Sequence, residues 1–440
     1  MGHLGAKDEY LALEEKIDGM WLRTPKRKSF LEVLKLIYTP EEARFVSAMS
    51  WGFANLAQVA RATGTREAEA RVMLEALADK GLVLDITPAG ETVYVPSPIV
   101  IGIFEFTMMR TDGAVDKKAA ARLFADCMLT DGAFFAANTP RDGSRMSVMR
   151  TLPHEEAVRP EQAVEILDYE KAHALADTFD TFSLGVCSCR HKMDHLEERK
   201  CETPLESCLS FGSAADYLIR HKMGRSITKA EMHQALGISK EYGLVLNSDN
   251  TRRGIRFICQ CCSCCCTVLK GVSEHGYANA VITSTFIAQV REAECIGCGK
   301  CAKACPIHAI EMVPAPPRED GKKRKKARIK EDLCLGCGVC ALQCKKTHAL
   351  ALEKRAQRVI HPATTFERVI LQTLDKGTLA NQIFDDPRSL TQKALRGVVG
   401  GFLRLAPVKR ALMSDLLRSR FLKAMETGIK LQGKGWLLDM

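Results

Sequence analysis

Cys295-Ile296-Gly297-Cys298-Gly299-Lys300-Cys301-Ala302-Lys303-Ala304-Cys305-Pro306 is answered further along by Cys334-Leu335-Gly336-Cys337-Gly338-Val339-Cys340-Ala341-Leu342-Gln343-Cys344-Lys345. Both read C-x2-C-x2-C-x3-C, offset by thirty-nine residues (334 − 295), and an internal period of this kind marks a duplicated unit. Two-residue gaps let three thiolates converge on one face of a cubane from a tight loop. The fourth Cys, opening a short helix, reaches across to the other cluster. The crossed sets are then Cys295, Cys298, Cys301 and Cys344 for one [4Fe–4S] cluster, and Cys334, Cys337, Cys340 and Cys305 for a second. Zinc ribbons also use C-x2-C pairs, but they need neither a third Cys two residues on nor a fourth three further, twice over.

Residues 284–353 resemble the bacterial-type ferredoxin that carries two [4Fe–4S] clusters. The resemblance implies one-electron transfer at low potential. One departure stands out: Cys344 is followed by Lys345 where the family usually has Pro, which changes the local backbone. Phe286-Ile287-Ala288 reads as a strand entering the unit, and Ala309 to Val313 with Ala327 to Leu333 as the hairpin between clusters. Pro314 to Lys326 is a Pro-rich, basic tip. It is either a solvated turn or a docking patch for an acidic redox partner, because complementary charge steers encounter.

A second group of cysteines precedes this unit. Cys187-Ser188-Cys189-Arg190-His191, Cys201 and Cys208 are followed by Cys259-Gln260-Cys261-Cys262-Ser263-Cys264-Cys265-Cys266. The most economical division puts a third cluster on Cys187, Cys189, Cys201 and Cys208. Cys259, Cys261, Cys262, Cys264, Cys265 and Cys266 then supply the candidate ligands of a third or fourth cluster. Neighbours such as Cys261 and Cys262 point to opposite faces of an extended chain and do not easily share a cluster. Interleaved halves and a single unusual cluster stay open. Zinc has the support of His191 and His195 (H-x3-H), though these spacings match no common finger, and regulatory dithiols are a further alternative. Arg190 and His191 are either donors to ligand sulfurs or ordinary surface charges. Between the two halves, Thr228 to Glu231 reads as a capping box, with one helix ending near Gly237 and a second at Gly243.

The whole chain has 440 residues and nineteen Cys. They are clustered rather than spread, as cofactor ligands are and a disulfide framework is not; Cys127 alone reads as a buried small hydrophobe. The amino terminus has no apolar signal region, and the longest apolar run, Ile99 to Met109, is too short to span a bilayer and contains Glu105. The expectation is a cytoplasmic protein in an anaerobic setting, since so many thiolates are open to oxidation. No dinucleotide-binding glycine pattern or Walker loop occurs, so no NAD, flavin or ATP site is expected.

Residues 28–96 resemble a winged helix-turn-helix: helical periods, a Thr63-Gly64-Thr65 turn, and two short strands at Leu82 to Leu84 and Val93 to Val95. The second helix of the pair carries Arg66, Glu67, Glu69, Arg71, Glu75, Asp79 and Lys80. It is too acidic for a groove reader that must neutralise phosphates, so docking or a structural role is expected rather than DNA binding. Residues 97–180 form a helical or mixed linker domain, with amphipathic helices at Lys117 to Cys127 and Pro160 to Phe179. Met146 and Met149 read as core packing, and His154-Glu155-Glu156 as a solvated helix start. Much of the excess in the net charge of +10 is carried by Lys322 to Arg328 and the C-terminal third, where residues 361–440 are helical and basic. That basic, Cys-free helical tail has three candidate roles: packing on its own domain, a peripheral contact at the inner membrane surface, or binding a partner.

The resulting expectation is an α+β chain, mostly helical and multidomain. It comprises a winged-helix-like module (28–96), a linker domain (97–180), a Cys-rich iron–sulfur domain (181–275), a two-cluster ferredoxin domain (284–353) and a basic tail (361–440). The layout resembles a group of anaerobic multi-cluster iron–sulfur proteins without a settled reaction. The function expected is single-electron transfer between a low-potential donor and an acidic redox protein or oxidoreductase subunit. Two alternatives are an oxidoreductase with its active site at the central cysteines, and a redox-sensing regulator using the winged helix.

Overall fold

The computed structural model describes residues 5–139, 146–161, 166–316, 324–357, 359 and 361–439. The chain is α+β. Near the amino end, the helices Lys28–Ile37, Pro40–Ala48, Leu56–Thr63 and Glu67–Asp79 are joined by a small sheet. Its strands are β1 (Ala54–Asn55), β2 (Val83–Ile86) and β3 (Val93–Pro96), in the order β1-β3-β2. Local chemistry sets the boundaries. Thr39 with Glu42 and Asn55 with Gln58 form reciprocal capping boxes, each satisfying donors that a helix start leaves unpaired. Phe30, Val33, Leu34 and Ile37 recur at helical spacing and are buried together.

The centre of the molecule is a six-stranded antiparallel sheet, which the sequence reading did not anticipate. Its strands are β4 (Met149–Leu152), β5 (Phe182–Val186), β6 (Glu206–Phe211), β7 (Gly224–Ile227), β8 (Val245–Asp249) and β9 (Phe257–Cys261). Their order is β4-β8-β9-β6-β5-β7. Strand β4 comes from the expected linker segment, so that segment supplies an edge of the Cys-rich unit. The expected helix over 160–179 is instead the short turn Asp168–Glu170 and the helix Ala172–Ala176, with residues 162–165 outside the described set. The Thr228 capping box is present, but one helix, Lys229–Glu241, runs through Gly237 where two were expected. Its buried face of Met232, Ala235 and Leu236 packs on the sheet, and that burial outweighs the roughly 1 kcal/mol that Gly costs inside a helix.

The segment bearing the repeat contributes β10 (Phe286–Val290), β11 (Ile310–Ala315), β12 (Arg324–Ile329) and β13 (Leu350–Lys354). β10 pairs with β13 and β11 with β12, both antiparallel. Of the expected basic tip at 314–326, residues 317–323 lie outside the described residues. This unit does not stand apart. One apolar cluster runs from Tyr10 and Phe30 through Phe104 and Val245 to Phe286 and Leu352. Thr285 donates its backbone N–H to buried Glu170 at 2.9 Å, and Arg159 pairs with Glu353.

The last five α-helices, from Thr365–Lys376 to Arg418–Leu431, enclose their own core of Phe366, Ile370, Leu374, Leu403 and Leu422. Several of the tail's basic side chains are tied to this chain. Arg396 and Arg404 donate to the carbonyls of Asp386 and Gly377, Lys409 to that of Asp375, and Lys434 pairs with Asp385. Leu390, Val398, Phe402 and Leu416 remain exposed. Among the described residues, no helix is long and apolar enough to cross a membrane.

Candidate iron–sulfur centres

The two repeats fold alike because each needs the same backbone turn. Gly297 and Gly336 both sit at positive φ, 72° and 68°. A Cβ at Gly297 would lie 2.2 Å from the Lys325 carbonyl oxygen, and one at Gly336 would lie 2.1 Å from that of Phe286. Only glycine fits. The short helices Lys300–Ala304 and Val339–Leu342 follow, and after them His308 and His348 adopt left-handed backbone. The second repeat, with Lys345 where Pro306 stands in the first, reaches its His one residue later.

Cys301 interacts electrostatically with Cys295, Cys298 and Cys344, and Cys337 and Cys340 with Cys305 and Cys334. Burial pushes the Cys301 thiol up to about 11, with Cys295, Cys344 and Cys298 adding repulsion. Burial likewise raises Cys337 to about 12, and Cys305 and Cys334 add to it. All eight thiols are free of disulfides. Thiols crowded and desolvated in this way can be thiolates only beside a compensating cation, as they are on iron. The two sets differ in exposure. Cys305, Cys334, Cys337 and Cys340 are buried, whereas Cys298 is exposed and Cys295, Cys301 and Cys344 are half-buried. Arg324, on β12, donates to the carbonyl oxygens of Cys295 and Glu292 beside the exposed set.

The ten central cysteines fall into two groups that differ from the economical division. Six form a ring. Cys208 faces Cys259 across β6 and β9, and Cys261, two residues on, shares the face of Cys259. Cys261 neighbours Cys266, Cys266 neighbours Cys189, and Cys187 lies beside both Cys189 and Cys208. Cys187 and Cys266 sit at the N-caps of the helices Ser188–His195 and Thr267–Ser273; burial pushes the Cys187 thiol up to about 12, with Cys189 adding to it. The other four, Cys201, Cys262, Cys264 and Cys265, have sulfurs all within 4.8 Å of one another. Cys201 therefore does not join Cys187, Cys189 and Cys208. Cys262, Cys264 and Cys265 lie in the turn after β9, which carries their side chains away from the ring.

Residues 294–347 match the family model described as a 4Fe-4S dicluster domain. This segment is a ferredoxin-type dicluster domain. No curated protein and no solved structure matches the chain. The dicluster domain gives the chain an iron–sulfur electron-transfer role.

All six ring cysteines line a cavity of about 460 Å³ that Arg190 and Glu105 also face. Arg190 is 1% exposed and is no surface charge. It donates to the Gln260 carbonyl at 2.6 Å and to Ser207. Burial opposes its charge, but attraction to Cys187, Cys262, Cys261 and Cys201 outweighs burial and raises its pKa. Lys192, fully buried, donates to Thr267 Oγ1 at 2.9 Å, and that hydroxyl lies 3.8 Å from Cys189 Sγ. Burial raises Glu105 to about 7, partly offset by the Gly102 N–H. His191 and His195 face each other at 3.0 Å away from the thiols, with His191 Nδ1 against the Met108 carbonyl.

The sequence reading missed His154. It is 1% exposed rather than a solvated helix start. Its backbone N–H donates to the Cys337 carbonyl at 3.0 Å, and its Nε2 lies 2.8 Å from the Leu244 carbonyl. Leu244 shares an apolar cluster with Cys262 and Cys265. A polar residue after Pro153 and before Glu155 and Glu156 gives no sign of such a role in the sequence, since both of its partners are backbone atoms.

Proposed function

We propose that the chain is an electron relay. In this reading the dicluster domain takes single electrons at its exposed cysteine set and hands them, through its buried set, to a third iron–sulfur centre on Cys187, Cys189, Cys208, Cys259, Cys261 and Cys266. Crossed ligation, with Cys344 joining Cys295, Cys298 and Cys301 and with Cys305 joining Cys334, Cys337 and Cys340, is supported by the way those thiols face one another. The observation that carries the reading is the exposure contrast. The set with Cys298 opens to solvent, while the set with Cys337 packs against the central sheet through His154. When bound, the clusters supply one-electron transfer. The chain's own residues hold them, insulate the inner set from water and place Arg190 and Lys192 against thiolate charge.

The donor's docking site is the β11–β12 hairpin, where Arg324, Lys325 and Lys326 flank the exposed set; an acidic partner fits it. The amino-terminal winged-helix-like module serves as a docking or structural element. The exposed face of its helix Glu67–Asp79 carries Glu67, Glu69, Glu75 and Asp79 against Arg71, the wrong sign for a phosphate backbone. Its far end is held to the central unit by Tyr217, which donates to the Val83 carbonyl at 2.9 Å, and by Arg220 on Asp85. One further observation favours a second reading. The ring opens on a cavity of ligand size, as an oxidoreductase active site at the central cysteines requires.

EPR-monitored redox titration of the anaerobically purified chain tests the relay. Two interacting cubane signals plus a further centre are expected, with Cys208→Ser and Cys261→Ser removing the further centre alone. Dicluster signals with nothing beyond them would overturn the proposal.

A further inference from the structure

Cys201, Cys262, Cys264 and Cys265 are spaced differently from the other thiols. Cys201 Sγ lies 3.7 Å from Cys262 and 3.9 Å from Cys265, and Cys264 Sγ lies 3.7 Å from Cys262 and 3.4 Å from Cys265. A single tetrahedral ion with metal–sulfur bonds of about 2.3 Å sets its four sulfurs about 3.8 Å apart. A cubane binds each thiolate to a separate iron and so spreads the four much more widely. The dicluster domain provides an internal comparison. Among the described residues, the only group of three or more candidate ligands within 4.8 Å is this set of four, and neither dicluster set nor the ring is so compact.

From this spacing we infer that Cys201, Cys262, Cys264 and Cys265 bind one divalent metal ion, with the tetrahedral thiolate chemistry shared by zinc and mononuclear iron, and not an iron–sulfur cluster. The donor set is all sulfur, which selects those metals over magnesium or calcium. Four thiolates around a divalent ion leave two negative charges; buried Arg190 is placed to offset one, and Arg199 braces the Cys201 backbone. Arg190 is attracted by Cys262 and Cys201. Arg199 is fixed by Asp194 at 3.0 Å and donates to the Cys201 carbonyl at 2.9 Å. Cys262 and Cys265 are buried, while Cys201 and Cys264 are half-buried and give the ion a route in.

The ion clamps the loop of Cys201 to the turn after β9, sixty-one residues away in sequence. The clamp also abuts Leu244, whose carbonyl meets His154 beside Cys337. An iron ion there would stand between the dicluster domain and the ring, whereas a zinc ion would be structural.

The test is zinc, iron and acid-labile sulfide per chain on the full-length, anaerobically purified protein. One metal ion in excess of the iron matched by sulfide is expected. If it is zinc, X-ray absorption at the zinc edge should show four sulfurs and no neighbouring metal; if it is iron, it appears as one iron without sulfide. Cys201→Ser and Cys264→Ser should each lose that one ion and leave the sulfide count unchanged. A fall in sulfide in either variant would overturn the inference. So would a wild-type chain whose metal is all iron matched one-to-one by sulfide, a result that needs no variant to fold.

Discussion

His154 donates its backbone N–H to the carbonyl oxygen of Cys337 at 3.0 Å, so a residue of the central unit holds the cysteine loop of the dicluster domain. Its imidazole closes the bridge on Leu244 at 2.8 Å. Replacing it by Ala leaves the Leu244 carbonyl without this partner in a buried site, and loss of a buried partner costs about 1–3 kcal/mol. His154→Ala should lower the anaerobic unfolding midpoint accordingly. His154→Gln, which keeps a donor, should recover part of the loss. An unchanged midpoint in the Ala variant would show that the bridge carries no stability.

Thr347 should tune the exposed cluster site. Its hydroxyl lies 3.8 Å from Cys344 Sγ, within reach of a weak hydrogen bond to sulfur, and donors to ligand sulfur raise a cluster's potential. A neutral hydrogen bond contributes about 0.5–1.5 kcal/mol, which for one electron corresponds to about 20–60 mV. Thr347→Val should shift one dicluster midpoint downward by that amount, as read by EPR titration, and leave the other in place.

Gly336 and Gly297 should separate the two cluster sites. Ala at either position must take up left-handed backbone, which costs roughly 1–2 kcal/mol, and must also displace a carbonyl oxygen 2.1 or 2.2 Å away. Gly336→Ala strikes the buried set against β10, and Gly297→Ala the exposed set against β12. Each variant should lose about four iron and four sulfide from its own set. Equal loss from both sets in each variant would contradict the placement.

His361 makes stability depend on pH. Burial, with Arg150 and Arg252 nearby, pushes it down to about 3. Its Nδ1 meets Asn250 Oδ1 at 2.7 Å while its Nε2 is buried with no partner among the described residues. An unfolded His titrates near 6.5, so between those values the unfolded chain holds the additional proton. The contribution of neutral His361 is therefore complete above about pH 6.5 and falls by roughly 1.4 kcal/mol per unit as pH drops toward 3. His361→Gln should flatten that part of the stability profile relative to wild type.

The dicluster domain is legible because its chemistry is local. Three thiols within seven residues, Cys295 to Cys301, announce the loop whatever surrounds it. The central sheet is not legible. Strand β8 is buried on both faces and reads Val245-Leu246-Asn247-Ser248-Asp249, with no alternation, since its polar side chains find partners inside the protein: Thr151 Oγ1 donates to Asn247 Oδ1, and Ser248 Oγ to the Phe257 carbonyl. The partition of the ten cysteines is set by tertiary structure. Cys201 meets Cys262 only because β6 and β9 are neighbours, and Cys262 parts from Cys261 because a turn begins between them. The amino-terminal helices and their caps were readable in Thr39-Pro40-Glu41-Glu42, where the capping chemistry is again local.

The account stands on a third sulfur-ligated centre beyond the dicluster domain, and iron with acid-labile sulfide per chain tests it most directly. Two cubanes account for about eight of each. The account predicts about twelve sulfide with at least as much iron in the anaerobic wild-type protein, falling to about eight sulfide when ring residues Cys208 and Cys261 are replaced by Ser. A wild-type chain with about eight iron and eight sulfide, unchanged by those substitutions, would contradict it.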